Sequence, residues 1–333
     1  MEKATSIAEM QKFHFGSKVF CADGEEAIVT HVGFNSASRR VTYIGVKTGR
    51  FWGKTVFVPL TILVDAAASG VHLSLTHDQL VASSTDVPAA AIIDQRSTVQ
   101  NTATAAKGTV KVIAIHPKTG ELAYLIVRNL RPTMDLLISE EFVTGVSADQ
   151  ITINVPEATL QTLPPYRSDE ELQREIEDIL FDLAPLHIDF PGMTTRVLDG
   201  VLYLDGNISS SLRGDMVQSQ VMGVQGLLEV KNNLVGDDML AADLAEALGR
   251  DERTRDLPIG VYPRLGNVRL SGAVHNAQQK AAATEIAENF PNVRSVNNDL
   301  VINAKTDLLG VMSAPAGGDS EDIIPGTYTR HTK

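Results

Sequence analysis

The chain has 333 residues, 43% hydrophobic and 21% charged, the balance of a soluble globular protein with room for two to four domains. Its net charge of −12 (29 Lys+Arg against 41 Asp+Glu) excludes a general nucleic-acid binder, which needs a basic surface. A lone Cys excludes an internal disulfide, and nothing approaches the ~18 uninterrupted apolar residues of a membrane span.

Met1 to Lys18 has no apolar signal-peptide core, so the expectation is a cytoplasmic protein, at most peripheral to the inner membrane face. Residues 16–80 then read as all-β. The β-rich runs are Val19 to Cys21, Ala27 to Val32, Val41 to Val46, Val56 to Val58 and Val71 to Leu75, punctuated by Asp23-Gly24, Gly49 and Gly70. Residues 97–160 follow the same style, with Gly108 to Ile115, Leu122 to Val127, Leu136 to Ile138 and Ile151 to Val155. Tyr43-Ile-Gly-Val-Lys47 aligns with Tyr124-Leu-Ile-Val-Arg128 at a spacing of 81 (124 − 43). Val71 to Leu75 aligns with Ile151 to Val155 at 80 (151 − 71). Short strands at even intervals predict small barrels, which leave no free edge.

Asp23-Gly24 before a strand, the Tyr-x-x-Val strand, the Val58-Pro59 step and the closing strand followed by Leu80 or Leu160 resemble the PRC-barrel family, in tandem. The second copy departs from the pattern, with Ile138-Ser139 in place of Val58-Pro59. The family includes the barrel of the photosynthetic reaction-centre H subunit and half of a ribosome-maturation factor. The resemblance implies docking onto macromolecules without chemistry. Residues 11–82 and 91–163 are the expected barrel domains. Ala82 to Ala91 is small and polar with Pro88 and reads as a linker. Leu163-Pro-Pro-Tyr166 reads as a stiff joint.

Beyond the joint the sequence repeats itself. Gly200-Val-Leu-Tyr-Leu-Asp-Gly-Asn-Ile208 returns as Gly266-Asn-Val-Arg-Leu-Ser-Gly-Ala-Val274 at a spacing of 66 (266 − 200). Val230 to Val235 returns as Val296 to Val301 at the same spacing. A fixed repeat means two copies of one folding unit. Each copy reads α-β-β-α-β. Leu172, Ile176, Ile179, Leu180 and Leu183 form one leading helix stripe, and Leu240, Leu244, Ala247 and Leu248 form the other. Ser168 with Glu171 is a capping box. Asp199-Gly200 and Gly266-Asn267 are the expected hairpin turns, and Gly206 and Gly272 are expected to end the second strands, close to a helix. Leu212, Met216, Val217 and Val221, and Ala281, Ala282, Ile286 and Ala287, are the second helix stripes, with Ser210 and Asn276 as N-caps. This pattern resembles the BON domain, twice, over residues 168–236 and 237–303. That family is non-catalytic, and its understood members bind phospholipid or hold proteins at the envelope. From residue 304 the tail, with Ala314-Pro-Ala-Gly-Gly-Asp-Ser-Glu-Asp322, cannot bury a core and is expected to be flexible.

The fold class is therefore multidomain: two small all-β PRC-like barrels, two α+β BON-like units and a disordered C-terminal tail. The search for chemistry returns little. The eight His (14, 31, 72, 77, 116, 187, 275, 331) form no H-x-x-x-H and pair with no Cys, so no metal site is signalled. His72 and His77 read as surface histidines, and Cys21 as a small buried hydrophobe. No phosphate-loop motif occurs. The acids Asp169, Glu170, Glu171, Glu175, Glu177 and Asp178 read as a solvated helix face.

One stretch stands out, Lys47-Thr-Gly-Arg-Phe-Trp-Gly-Lys54, with cations at Lys47, Arg50 and Lys54, aromatics at Phe51 and Trp52, and no acid. It reads either as a docking loop anchored by Trp52 or as a hairpin whose aromatics cover a barrel end. The structural residues of the repeat are Gly200, Gly206, Gly266 and Gly272. The expected function is non-catalytic scaffolding of protein partners at or near the inner membrane face. A phospholipid-binding protein acting through the BON-like units, and a ribosome- or RNA-associated factor acting through the barrel, are the alternatives. Self-association is a further partner class. No cofactor and no enzyme activity are expected.

Overall fold

The computed structural model describes residues 6–304, apart from 25, 50–52, 84 and 87. It is mostly β, with a few helices. In chain order the first half carries β1 (Gln11–His14), β2 (Lys18–Phe20), β3 (Glu26–Asn35), β4 (Arg40–Thr48), β5 (Thr55–Pro59), β6 (Leu63–Ala67), β7 (Gly70–Leu73) and helix α1 (His77–Val81). Then come β8 (Ala91–Asp94), β9 (Thr98–Asn101), β10 (Lys107–Ile115), β11 (Leu122–Arg131), β12 (Met134–Ser139), β13 (Val143–Ser147), β14 (Gln150–Ile153) and helix α2 (Glu157–Thr162).

These strands build two seven-stranded sheets of the same internal order, β5-β4-β3-β2-β7-β6 and β12-β11-β10-β9-β14-β13. In each, one pair is parallel, β2 with β7 and β9 with β14. The seventh strand of each sheet comes from the other half. β1 precedes the first set but pairs with β10, placing Phe13 opposite Ile113. β8 precedes the second set but pairs with β3, placing Ile93 opposite Val32. The physical reason lies in strand length. β3 has ten residues and β2 only three, so β2 pairs only with Glu26 to Ile28 and leaves the end of β3 uncovered. An uncovered edge needs a partner, and β8 supplies it; β1 does the same for β10. The sequence reading missed both short strands, and Ala91, assigned to the linker, begins β8. Phe13, Val32, Ile93 and Ile113 are fully buried in a single core that runs through both sheets.

An approximate two-fold axis relates the sheets at an offset of 80–81 residues. It passes between Arg40 and Glu121, which are equivalent positions (121 − 40 = 81), form an antiparallel bridge and are ion-paired at 2.5 Å. On either side, the Val41 amide donates to the Gly120 carbonyl (2.8 Å) and the Leu122 amide to the Arg39 carbonyl (3.3 Å).

The joint into the second half is docked on the second sheet. Pro165 bridges Leu136, and the Tyr166 amide donates to the Asp135 carbonyl at 2.7 Å. The next elements are α3 (Asp169–Asp182), β15 (Met193–Leu198), β16 (Val201–Ile208), α4 (Ser211–Val221) and β17 (Glu229–Gly236). The repeat follows as α5 (Asp237–Arg250), β18 (Ile259–Arg264), β19 (Asn267–Val274), α6 (Ala277–Glu288), β20 (Ser295–Asn298) and β21 (Val301–Ile302). The sheet orders match, β15-β16-β17 and β18-β19-β20, with β21 also on β19. The Ser168 capping box starts α3, and Leu172, Ile176 and Leu180 are its buried stripe. In α4 the stripe differs from expectation. Val217 and Val221 are buried, but Leu212 is 78% exposed, and Gly214 takes the inward place.

The hairpin turns are Asp199-Gly200 (φ +53, +74) and Leu265-Gly266 (φ +50, +80), the left-handed pair that matches strand twist. The second turn thus sits one residue earlier than Gly266-Asn267. Each is held by the first acid of the preceding helix. Asp169 accepts from the Asp199 and Gly200 amides (2.8 Å each), and Asp237 from those of Leu265 (2.8 Å) and Gly266 (3.3 Å). Asp169 is therefore a structural acceptor and not simply part of a solvated face.

Gly206 and Gly272 lie inside β16 and β19 and do not end them. Their constraint comes from the neighbouring strand, not from a helix. A Cβ would lie 2.3 Å from the Gly192 carbonyl oxygen at Gly206 and 2.0 Å from that of Pro258 at Gly272, and both residues have positive φ (+108, +124). Gly206→Val or Gly272→Val is expected to cost about 3 kcal/mol or more, from backbone strain and overlap together. Thermal melts checking each variant should show a clear drop; parental melting would mean that the strand end shifts freely.

The chain divides into two compact bodies. One comprises Met1–Gly206 with Leu212–Leu234, and the other Asn207–Ser211 with Val235–Lys333. The expected tail, 304–333, lies outside the described residues except for 304.

Candidate functional site

The singled-out loop joins β4 to β5. Arg50, Phe51 and Trp52 lie outside the described residues. Lys47 is half-buried opposite Thr55 and Lys54 is exposed, its carbonyl accepting from the Thr48 amide at 3.1 Å. These positions form the expected hairpin stem.

A polar cluster that sequence reasoning missed lies at the Asp199 turn. Asp199 is 2% exposed, and Lys12 beside it 3%. The Asp199 Oδ1 lies 2.5 Å from His14 Nε2, and its Oδ2 accepts from the Ala68 amide (2.9 Å) and faces Lys12 Nζ at 3.8 Å. Burial pushes the Asp199 carboxyl up, but the His14 hydrogen bond and charge, Lys12 and the Ala68 amide outweigh it and hold the carboxyl below its ordinary range. For Lys12 the balance is reversed. Burial lowers its ammonium more than Asp199, Asp169, Glu229 and Asp65 raise it. Nearby, the Glu229 carboxylate accepts from Ser6 Oγ (2.7 Å) and the Ala8 amide (3.0 Å).

A His-Asp pair beside a buried Lys has the composition of a general-base site. The geometry here is that of a lock. Both carboxylate oxygens of Asp199 are taken, and its amide is bound by Asp169. The cluster ties β1, the β6–β7 turn and the β15–β16 turn together. A spacing rule could not have found it, because its members come from positions 12, 14, 68 and 199.

The second repeat presents a different surface. α5 and α6 cover one side of its sheet, where Val268, Leu270 and Val274 are buried with Leu240, Leu244 and Ala283. On the other side, pairing sets Arg264 opposite Asn267 and Tyr262 opposite Arg269. β20 extends these rows with Ser295 and Asn297. All six side chains are exposed. The Arg269 guanidinium stands 5.2 Å from the Tyr262 ring centre. In the first repeat the same two positions, 66 residues earlier, carry Arg196 and Tyr203 with the residue types exchanged, 5.4 Å apart. An aromatic–cation pair is thus kept at one cross-strand position in both copies. The third-strand position differs. Glu229 in the first copy holds the N-terminal segment, whereas its equivalent Ser295 (295 − 229 = 66) is exposed. Neither Arg264 nor Arg269 has an ion-pair partner among the described residues.

No helix among the described residues is long and apolar enough to cross a membrane. Among the same residues no cluster of three or more His, Cys, Asp or Glu could hold a metal ion.

The BON-domain family model matches residues 236–304, so a BON domain occupies the second repeat. No curated protein matches the chain. Among solved structures, the chain is similar to CdsD, a structural protein of the type III secretion system of Chlamydia trachomatis, at 18% identity and a TM-score of 0.33. That match covers 40% of this chain and 61% of that one. A structure of the CdsD C-terminal domain from the same organism is similar at 17% identity and a TM-score of 0.33, covering 41% of this chain and 66% of that one. The chain thus spans under two thirds of the length of either.

Proposed function

We propose that the chain is a non-catalytic scaffold that docks an acidic protein partner on the open sheet face of its BON domain. In this reading the two seven-stranded sheets are tandem PRC-type barrels, over 11–82 and 91–163, and residues 168–236 are a second BON unit. The protein acts in the cytoplasm or at the inner membrane face. One observation carries the proposal: Arg264 and Arg269 stand exposed beside Tyr262, without an ion pair among the described residues, in a chain of net charge −12. Exposed Arg and Tyr on a rigid sheet are the side chains that anchor partners, and unpaired cations steer an anionic one. The buried ionisable groups, by contrast, are used to join modules.

The test is a double change, Arg264→Glu with Arg269→Glu. It should abolish cross-linking of the partner that the wild-type chain captures in its own cells, and leave the melting temperature nearly unchanged, because exposed charges contribute little to stability. Capture unchanged by the double variant would remove this face from the function. Sedimentation with anionic phospholipid vesicles separates the membrane alternative. Retention at low salt that falls as salt rises, and is lost in the double variant, would assign the face to lipid instead.

A further inference from the structure

The approximate two-fold symmetry of the sheet pair is broken at one corner. On one side of the axis, Arg39 donates from Nη1 to the Val143 carbonyl at 2.5 Å. It lines a recess of about 120 Å³ with Ser38, Glu121, Leu122 and Glu140, while Ala37 and Ala91 of the same corner line a separate hollow of about 580 Å³. The equivalent of Arg39 on the other side is Gly120 (120 − 39 = 81), and both are left-handed, at φ +54 and +69. The equivalent of Val143 is Leu63 (143 − 63 = 80). With no side chain at Gly120, this second corner holds a single cavity of about 430 Å³ that Leu63 lines.

The other differences between the corners run in one direction. Where the Arg39 corner has Glu140 and Glu141, the Gly120 corner has Leu60 and Thr61. Where the Arg39 corner has Ala37, Ala91 and Ala123, the cavity is lined by Lys118, Gln11 and Thr42. Relative to its twin, the cavity has lost two acids and a guanidinium, and has gained an ammonium, an amide and hydroxyls. No carboxylate lines it. Glu121, on the axis, is paired with Arg40 and lines the recess beside Arg39. A concave site of this size, with an apolar part and a few convergent donors, is the usual form of a small-molecule site.

We infer that this cavity binds a small aliphatic carboxylate. The ligand's chain takes the place of the Arg39 methylenes, against Leu60 and Leu63. Its head group accepts from the Lys118 ammonium, a charge-assisted bond, with Gln11 and the threonine hydroxyls as further donors. The site is separate from the open face of the BON domain and does not depend on the docking role.

Hexanoate titrated into the full chain, followed by the NMR methyl signals of Thr42 and Thr61, tests this directly, with hexylammonium and hexanol as comparators. Saturable shifts with hexanoate are expected, at affinity roughly tenfold or more above either comparator, the size of one charge-assisted contact. Gly120→Arg should place a side chain where Arg39 stands in the twin corner, occupy the cavity and abolish hexanoate binding. Its new Cβ would lie 3.0 Å from Leu60 Cδ2, a flexible side-chain end, and 3.1 Å from the Val41 carbonyl oxygen, so folding of the variant is checked by its melt. Lys118→Glu, at an exposed position that cannot unfold the sheets, should weaken hexanoate roughly tenfold. The inference is overturned if hexanoate gives no saturable shift, if the three probes bind alike, or if Lys118→Glu leaves hexanoate affinity unchanged.

Discussion

Phe13→Ala is expected to destabilise both sheets together, by about 3–5 kcal/mol, in one cooperative transition. Phe13 is fully buried, yet it belongs to a strand that completes the sheet opposite to the one its own chain segment begins. Truncation leaves a cavity in a core shared by the two sheets, so neither can lose stability alone. Ile93→Ala, its counterpart in the reciprocal strand, should cost about 2–5 kcal/mol by the same mechanism. The check is chemical denaturation followed by circular dichroism, with hydrogen exchange read at both strand pairs. Protection should fall at Val112 to Ile115 and at His31 to Phe34 in either variant. Two separate transitions, or loss confined to one sheet, would show that the sheets are independent and the exchange incidental.

Asp199→Ala should cost a further large amount, about 3–5 kcal/mol, because it leaves the Lys12 ammonium in the interior without its nearest counter-charge. Adding Lys12→Met in the same chain should recover much of the loss, since the penalty is the unpaired charge and not the missing pair. Melting of the single and double variants distinguishes this from a simple cavity, which the second change would deepen. The pH dependence has a definite sign. The Asp199 carboxyl is held below its ordinary range in the folded chain. Its contribution is therefore present above the unfolded carboxylate value of about 4 and lost as pH falls through the depressed folded one. The Lys12 ammonium is also held low. Stability tied to it rises as pH climbs from that lowered value toward the ordinary ammonium range. Asp199→Asn should flatten the acid limb.

Much of the second half was legible in the sequence because its signals are local. The Ser168–Glu171 box, the Leu172, Ile176 and Leu180 stripe and the glycine-bearing turns are fixed within a few residues of one another. The turn at Leu265 was misplaced because Asn267 is also a good turn former, and the acid at Asp237 decides between the two. β1 and β8 escaped notice for a different reason. Four residues each, they carry little periodicity, and their partners lie far off in the chain's opposite sheets, about 100 residues away for β1 and about 60 for β8. The Asp199 cluster was invisible for the same cause, since Lys12 and Ala68 are brought to it only by tertiary folding. The exposed pair Tyr262 and Arg269 could have been noticed. In the 66-residue alignment Arg196 is equivalent to Tyr262 and Tyr203 to Arg269, a swap that suggests two positions in contact within each copy.

The reciprocal strands also set the order in which a nascent chain can mature. β1 is made first, but its partner β10 ends at Ile115, so β1 waits for about a hundred further residues to be synthesised. At about 5–20 residues per second that is a delay of roughly 5–20 seconds on the ribosome. The first sheet meanwhile lacks β8, so its β3 edge is open to wrong pairing during that interval. Ribosome-bound chains arrested before Ala91 should accordingly be protease-sensitive, and resistance should appear only after both exchanged strands have emerged.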